Sequence, residues 1–174
     1  YRIEISDSIG VFATINDILI GELWLSGGQS NMEFVIGNTN SYEEILSNIN
    51  TEYLRFFLEP TRPYLDGTPQ PLTPCYDIQD AYWEYGNTTT NALKNKMSAV
   101  AAVFAYNIQK ELDVPVGVIN TAVGGTRIHQ WISRDAIESN EEMLELYKNN
   151  NLYFPITETQ TKINYTWSVL YNAK

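Results

Sequence analysis

The fold is decided by a stretch that reads Ile18-Leu19-Ile20-Gly21-Glu22-Leu23-Trp24-Leu25-Ser26-Gly27-Gly28-Gln29-Ser30. From Ile18 to Leu25 it is almost continuously apolar, which is the pattern of a strand buried on both faces of a parallel sheet. It then enters a glycine pair and reaches a serine. Because functional crevices in open α/β sheets lie beyond the carboxyl ends of the strands, we expect Ser30 to lie in such a crevice.

Two further apolar segments extend this pattern into a sheet. Tyr53–Leu58 and Val116–Thr121 are predicted to be buried strands, and the second of them ends at a glycine pair. Between them, apolar residues recur at helical spacing from Asn91 to Leu112, which predicts one long amphipathic helix. A strand, a helix and a second strand in this order favour an α/β fold with a mostly parallel sheet.

The remaining segments are interpreted from their turn residues and periodicity. Tyr1–Ile15 alternates like a β-hairpin, and Glu59–Asn87 is rich in proline and is predicted to be a long surface excursion. Ser133–Lys148 is predicted to be helical, with a capping pattern at residues 139–142, and Thr159–Ala173 is predicted to be a further helix. No internal repeat is found.

Composition limits the classes of protein to which this chain can belong. Its 174 residues, 44% of them hydrophobic and 18% charged, suffice for one globular domain with a buried core. A formal net charge of -10 with 11 Lys and Arg argues against nucleic-acid and anionic-membrane partners. The single cysteine, Cys75, excludes an intramolecular disulfide and a thiolate-rich zinc site. There is no apolar run of membrane-spanning length and no signal-peptide pattern after Tyr1, and we expect the natural N-terminus to lie upstream.

The glycine pair before Ser30 has two interpretations. The glycines allow a sharp backbone turn that leaves the serine hydroxyl unobstructed, as a nucleophile requires. Alternatively, Ser30 is only the N-cap of a following helix. The residues alone leave these two interpretations about equal.

A second glycine pair follows the third predicted strand, in Val118-Ile119-Asn120-Thr121-Ala122-Val123-Gly124-Gly125-Thr126. The amides of Gly124 and Gly125 are unobstructed by side chains and could donate hydrogen bonds to an oxyanion. The alternative is an ordinary tight turn between a strand and a helix, which would be the better interpretation of this segment alone. Two such turns at one sheet edge favour a catalytic site.

Together, these two motifs resemble the sialate O-acetylesterases and the related acetylxylan esterases of the SGNH hydrolase superfamily. The resemblance covers nearly the whole chain and implies a three-layer α/β/α fold with a mostly parallel sheet, incomplete within this sequence. Residues 1–17 would be a leading hairpin or the end of an upstream β-sandwich-like domain, and residues 18–174 the N-terminal part of the esterase domain. Trp167–Lys174 resembles the segment that precedes the family's third motif block.

The resemblance also implies roles for particular residues. Ser30 would be the nucleophile, and the oxyanion hole would be formed by the amides of Ser30 and Gly124, with Gly125 the less favoured second donor. Gln29, Asn31 and His129 are candidate substrate contacts. No metal or organic cofactor is implied.

The family's Gly-Glu-Ser-like block and its Asp-x-x-His base are not found in this sequence. The only histidine, His129, lies in a different context, so we expect the chain alone to be inactive.

The expected function is therefore removal of O-acetyl groups from carbohydrate, with O-acetylated sialic acid favoured as substrate. The expected partners are that carbohydrate and the C-terminal part of the same enzyme. The alternatives are an acetylxylan esterase or another carbohydrate acetylesterase. An alternative of another class is a non-catalytic carbohydrate-binding module that uses the aromatic residues Tyr76, Tyr82, Trp83 and Tyr85. The resemblance implies a secreted or periplasmic location.

Overall fold

The computed structural model describes residues 1–58, 81–88 and 91–153. The chain divides into two compact units. The first comprises Tyr1–Leu58 and Tyr82–Val123, and the second comprises Glu59–Ala81 and Gly124–Lys174.

The described helices and strands are as follows. The first unit contains the strands β1 (Ile3–Ser6), β2 (Val11–Ile15), β3 (Glu22–Ser26), β4 (Leu54–Leu58), β5 (Tyr82–Tyr85) and β6 (Val116–Asn120), and the helices α1 (Ser30–Glu33), α2 (Tyr42–Asn48), α3 (Asn91–Lys96) and α4 (Ala99–Leu112). The second unit contains α5 (Arg134–Glu138) and α6 (Glu141–Asn149).

The sheet of the first unit has four strands in the order β3-β6-β4-β5. β3 and β4 both pair with β6 in parallel, and β5 pairs with β4 in antiparallel fashion. This arrangement confirms the predicted α/β class with a mostly parallel sheet. Separately, β1 and β2 pair in antiparallel fashion, which confirms the β-hairpin predicted for Tyr1–Ile15.

One face of this sheet carries the hydrophobic core of the first unit. Leu54, Phe56 and Leu58 alternate along β4 and are fully or almost fully buried, and Val116 and Val118 do the same along β6. Each large apolar side chain buried in this way stabilises the folded state by roughly 1.5–3 kcal/mol relative to an exposed one. The helices contribute further core residues, namely Leu93, Met97, Ala99, Ala101, Ala102 and Ala105.

The prediction that the first strand is buried on both faces is wrong for the described part of the chain. β3 lies at the edge of the sheet and pairs there with β6. Leu23 is 61% exposed and Leu25 is 71% exposed, both on the face opposite the core. Trp24 lies on the face that carries the core, where its ring packs edge-on against Phe104 of α4 with the ring centroids 5.0 Å apart. An apolar run cannot by itself distinguish a central strand from an edge strand.

The long predicted helix Asn91–Leu112 is interrupted. α3 ends at Lys96, and Ser98 becomes the N-cap of α4 because its hydroxyl accepts a hydrogen bond from the Ala101 amide at 3.2 Å. Ser98 also forms a β-bridge with Val35. The interruption thus lies where Ser98, between the two helices, pairs with a residue from elsewhere in the chain.

The predicted surface excursion also contains a strand. Residues 82–85 form β5, whose Trp83 packs edge-on against Phe57 of β4 at 5.2 Å between ring centroids. Beside it, the guanidinium of Arg55 forms an ion pair with Asp17 at 3.3 Å, and the Tyr85 hydroxyl donates to Asp17 at 2.8 Å. These contacts attach Asp17, which lies shortly after the hairpin, to β4 and β5 of the sheet.

In the second unit, the predicted helix Ser133–Lys148 is two helices. Ser133 caps α5 and Asn140 caps α6, each accepting a hydrogen bond from an amide three residues later. Ile137 and Tyr147 form the centre of a small core against which further apolar residues pack, namely Ile132, Met143, Leu144, Leu152 and Tyr153. The polar Ser139-Asn140 pair therefore separates two helices.

Several predictions lie outside the described residues. They are the course of the excursion between Glu59 and Asp80, which includes Tyr76, the helix predicted for Thr159–Ala173, and the motif resemblance of Trp167–Lys174. Among the helices that the structure does describe, none combines the length and the apolar character that crossing a membrane requires.

Candidate active site

A sharp backbone turn, here called the nucleophile turn (Gly27–Ser30), follows the end of β3. Gly28 has φ +142°, a conformation that residues with a side chain rarely adopt. A Cβ atom on Gly28 would also lie 2.8 Å from the Cγ atom of Met32. Glycine is therefore required at this position by both backbone conformation and space.

Ser30 is exposed and is the first residue of α1, while Gln29 is the N-cap. The Ser30 hydroxyl donates a hydrogen bond to Oε1 of Gln29 at 3.0 Å. The same Oε1 accepts a longer hydrogen bond from the Ser30 amide at 3.4 Å. The interpretation of Ser30 as the N-cap of the following helix is therefore wrong, because Gln29 is the N-cap of α1. Asn31, the next residue of α1, is also exposed.

The chain after β6 runs beside the nucleophile turn. Ser26 and Asn120 are paired at the ends of β3 and β6. Beyond the strands, the Thr121 amide donates to the Ser26 carbonyl and the Val123 amide donates to the Gly28 carbonyl, both at 2.9 Å. The pairing of the two strands is therefore continued to the residue immediately before Gly124.

Gly124 and Gly125 begin the second unit as a turn. Gly125 has φ +77°, and no atom lies within 4 Å of the position that its Cβ would occupy. Gly125 is exposed and Gly124 is half-buried. The assignment of either glycine to an oxyanion hole stays a prediction.

His129 lies in a short 3-10 turn, Ile128–Gln130, and is only 8% exposed. Its ring packs edge-on against Tyr147, with the ring centroids 6.2 Å apart. Burial, and then the positive charge of Arg127, lower the pKa of His129 below its ordinary value of 6.5. This is the environment of a neutral histidine packed within the second unit, and the prediction that it contacts substrate stays a prediction.

Sequence reasoning missed two buried polar atoms beneath the nucleophile turn. Oγ of Ser26 and Oδ1 of Asn120 are buried without a hydrogen-bond partner among the described residues. The amide of the Asn120 side chain does donate to the Lys96 carbonyl at 3.2 Å. Leaving a buried polar atom without a partner costs roughly 1–3 kcal/mol, and such atoms are therefore few in folded proteins. The signal in the sequence was a polar residue at the end of each apolar strand.

No cluster of three or more metal-ligating side chains (His, Cys, Asp or Glu) occurs in residues 1–58, 81–88 and 91–153. Within the same residues, the hydrogen-bond partner of the Ser30 hydroxyl is Gln29, which is an amide and not a base. In the first unit, the described part of the site thus presents an exposed serine on a glycine turn.

Comparison with known proteins places these two turns in a family. The family model described as "Carbohydrate esterase, sialic acid-specific acetylesterase" matches residues 20–153, which include both turns. The sialate O-acetylesterase of Rattus norvegicus is 29% identical over 140 residues, and that of Mus musculus is 27% identical over 129 residues. Each of these alignments covers 72% of this chain and 23% of the relative, so the chain spans about a quarter of the length of the curated relatives.

A solved structure with a similar fold is that of a carbohydrate acetylesterase from Xanthomonas citri. It has a TM-score of 0.69 and 23% sequence identity, and the match covers 99% of this chain and 32% of that chain. This likeness supports the α/β architecture described above. On the evidence of the family model, which covers most of the sequence and both glycine turns, the chain belongs to the sialic acid-specific acetylesterase family of carbohydrate esterases.

Proposed function

We propose that this chain carries the nucleophile of a serine esterase that removes O-acetyl groups from carbohydrate. The observation that carries the proposal is the exposed Ser30, presented on a glycine turn at the carboxyl edge of a mostly parallel sheet. Ligands of open α/β sheets bind at that edge. Membership of a carbohydrate esterase family gives the chemistry that this serine would perform.

In the proposed reaction, Oγ of Ser30 attacks the acetyl carbonyl carbon while a general base removes the hydroxyl proton. The negative charge that develops on the carbonyl oxygen would be stabilised by the amides of Ser30 and Gly124, with Gly125 the alternative second donor. When this intermediate collapses, the bond between the acetyl carbon and the sugar oxygen breaks, and the protonated base donates its proton to that oxygen. An acetylated serine remains. Water then attacks the acetyl group, which releases acetate and restores the serine hydroxyl.

The general base is proposed to come from outside this sequence. A serine hydroxyl is a weak nucleophile until a positioned base takes its proton, and the sequence has no Asp-x-x-His. The only histidine, His129, is buried against Tyr147. We therefore propose that the C-terminal part of the same enzyme is the partner that completes the site.

O-acetylated sialic acid is the substrate that we propose first. The support is the family description and the name shared by the curated relatives. Gln29 and Asn31 flank the nucleophile and are proposed to contact the sugar, together with His129. A secreted or periplasmic location is proposed on the same family resemblance.

The decisive experiment uses the full-length gene product and a fluorophosphonate probe that labels activated serines. We expect labelling at Ser30, and we expect release of acetate from O-acetylated sialic acid to exceed release from acetylated xylan. Faster deacetylation of xylan would assign the enzyme to the acetylxylan branch. Absence of both labelling and hydrolysis would favour a carbohydrate-binding role without catalysis.

A further inference from the structure

One oxygen atom engages both groups of Ser30 that the proposed reaction needs. Oε1 of Gln29 lies 3.0 Å from the Ser30 hydroxyl oxygen and 3.4 Å from the Ser30 amide nitrogen, and it accepts a hydrogen bond from each. Gln29 and Ser30 are both exposed.

These two hydrogen bonds are incompatible with catalysis as proposed above. During attack the hydroxyl proton of Ser30 must point to the general base, and the amide of Ser30 must donate to the developing oxyanion. Each of these groups has one hydrogen to donate. Oε1 of Gln29 must therefore release both before the acetyl carbonyl can react.

We infer that Gln29 Oε1 competes with the substrate's carbonyl oxygen for the Ser30 amide, and that substrate binding displaces it. The inference rests on the proposed function, because it concerns the amide and hydroxyl assigned there to the oxyanion and to the attack. Gln29 thus sets the affinity for any acetyl ester, whatever the alcohol to which the acetyl group is attached. After displacement, its carboxamide is available to the sugar.

The size of the effect follows from the two hydrogen bonds. One has ordinary geometry and the other is long, and a neutral hydrogen bond contributes only modestly in net terms because water replaces it. Loss of this competition should raise kcat/KM by about 3- to 10-fold. kcat should remain within about 2-fold, because the transition state does not contain the displaced contact.

The test compares Gln29→Met and Gln29→Glu in the full-length gene product with 4-nitrophenyl acetate as substrate. Methionine keeps the length of the side chain but removes the strong acceptor, so KM should fall. Glutamate provides a charged acceptor that binds both Ser30 groups more strongly, so KM should rise at neutral pH. Opposite changes in KM from the two variants are the expected result.

Two controls make the outcome interpretable. Asn40→Met places a methionine at another exposed turn position and should leave KM and kcat unchanged. Ser30→Ala tests the proposed function separately, since full activity in that variant would overturn the nucleophile assignment itself. If Ser30→Ala is inactive while Gln29→Met has an unchanged or higher KM, the proposed function stands and the inference about Gln29 is overturned. A lower kcat in Gln29→Met would also overturn it, because Gln29 would then assist the reaction.

Discussion

The amide of Val123 donates a 2.9 Å hydrogen bond to the carbonyl of Gly28. This bond joins the nucleophile turn to the chain immediately before Gly124. A backbone change at Gly28 would therefore disturb both Ser30, within the same turn, and the hydrogen bond to Val123.

Replacing Ser30 by alanine should abolish acetyl-ester hydrolysis by the full-length gene product. The hydroxyl is exposed, so the free energy of unfolding should change by no more than about 0.5 kcal/mol. Acetate release and chemical denaturation measure the two effects. Ser41→Ala is a matched control, because Ser41 is exposed and its side chain makes no capping hydrogen bond. Retained hydrolysis in Ser30→Ala would remove Ser30 from the mechanism.

Gly28→Ala should lower both stability and activity. Alanine at φ +142° is strained by about 1–3 kcal/mol, and its Cβ would approach Met32 too closely. Gly10 is the matched control, because it has φ +148° but open space where a Cβ would lie. Gly10→Ala should lose stability through backbone strain alone and keep its activity. Equal activity of the two variants would show that the position of Ser30 does not depend on Gly28.

Gly124→Ala should lower kcat by roughly 10²-fold if its amide stabilises the oxyanion as such donors do elsewhere. Gly125→Ala introduces backbone strain at φ +77°. It should therefore lower the thermal midpoint, and it should lower kcat less than Gly124→Ala does. Steady-state kinetics and thermal unfolding of both variants measure this difference. A larger loss of kcat in Gly125→Ala would transfer the donor role to Gly125.

The stability of the protein should decrease as the pH falls below about 6.5, because of His129. Burial and Arg127 lower the pKa of His129, so the unfolded chain binds the proton more readily than the folded protein does. The contribution of neutral His129 to the free energy of unfolding is fully present above about pH 6.5, the pKa of histidine in the unfolded chain. It is lost as the pH falls through the lower pKa that His129 has in the folded protein. His129→Phe keeps a ring against Tyr147 but cannot titrate, and its thermal midpoint should change less between pH 7.5 and 5.5. An unchanged pH dependence would contradict the assignment.

The 174-residue chain alone should show no esterase activity that depends on Ser30. Without a base the hydroxyl keeps its proton at neutral pH, and oxyanion stabilisation alone gives only residual catalysis. The measurement is turnover of 4-nitrophenyl acetate by the chain and by its Ser30→Ala variant, before and after addition of the C-terminal part. Serine-dependent turnover by the chain alone, at the rate of the reconstituted pair, would show that a base is present within it.

The strands and the nucleophile turn could be predicted because their causes are local. Alternating or continuous apolar residues produced β4 and β6 close to the predicted positions, and the glycine pair before Ser30 indicated the sharp turn. The role of Gln29 as the cap could not be predicted. The side chains of Gln29 and Ser30 can both accept a hydrogen bond from a backbone amide at the start of a helix. In the structure, Gln29 accepts it from the Ser30 amide.

The predictions that failed depended on contacts between distant residues. Leu93, Met97 and Ala101 keep helical spacing across the break between α3 and α4, so periodicity alone indicates one helix. At the break, Ser98 pairs with Val35, which lies more than sixty residues away in the sequence. Exposure of Leu23 and Leu25 likewise follows from the order of the strands in the sheet, which no local pattern determines.

The pairing of Val35 with Ser98 affects hydrogen exchange in the segment that follows α1. On either side of this bridge, the Ile36 amide donates to the Met97 carbonyl at 3.0 Å and the Ala99 amide donates to the Phe34 carbonyl at 2.9 Å. Ile36 and Ala99 are both buried, so their amides exchange with solvent hydrogen only when part of the core separates. Slow amide exchange should therefore extend from α4 to the segment that follows α1.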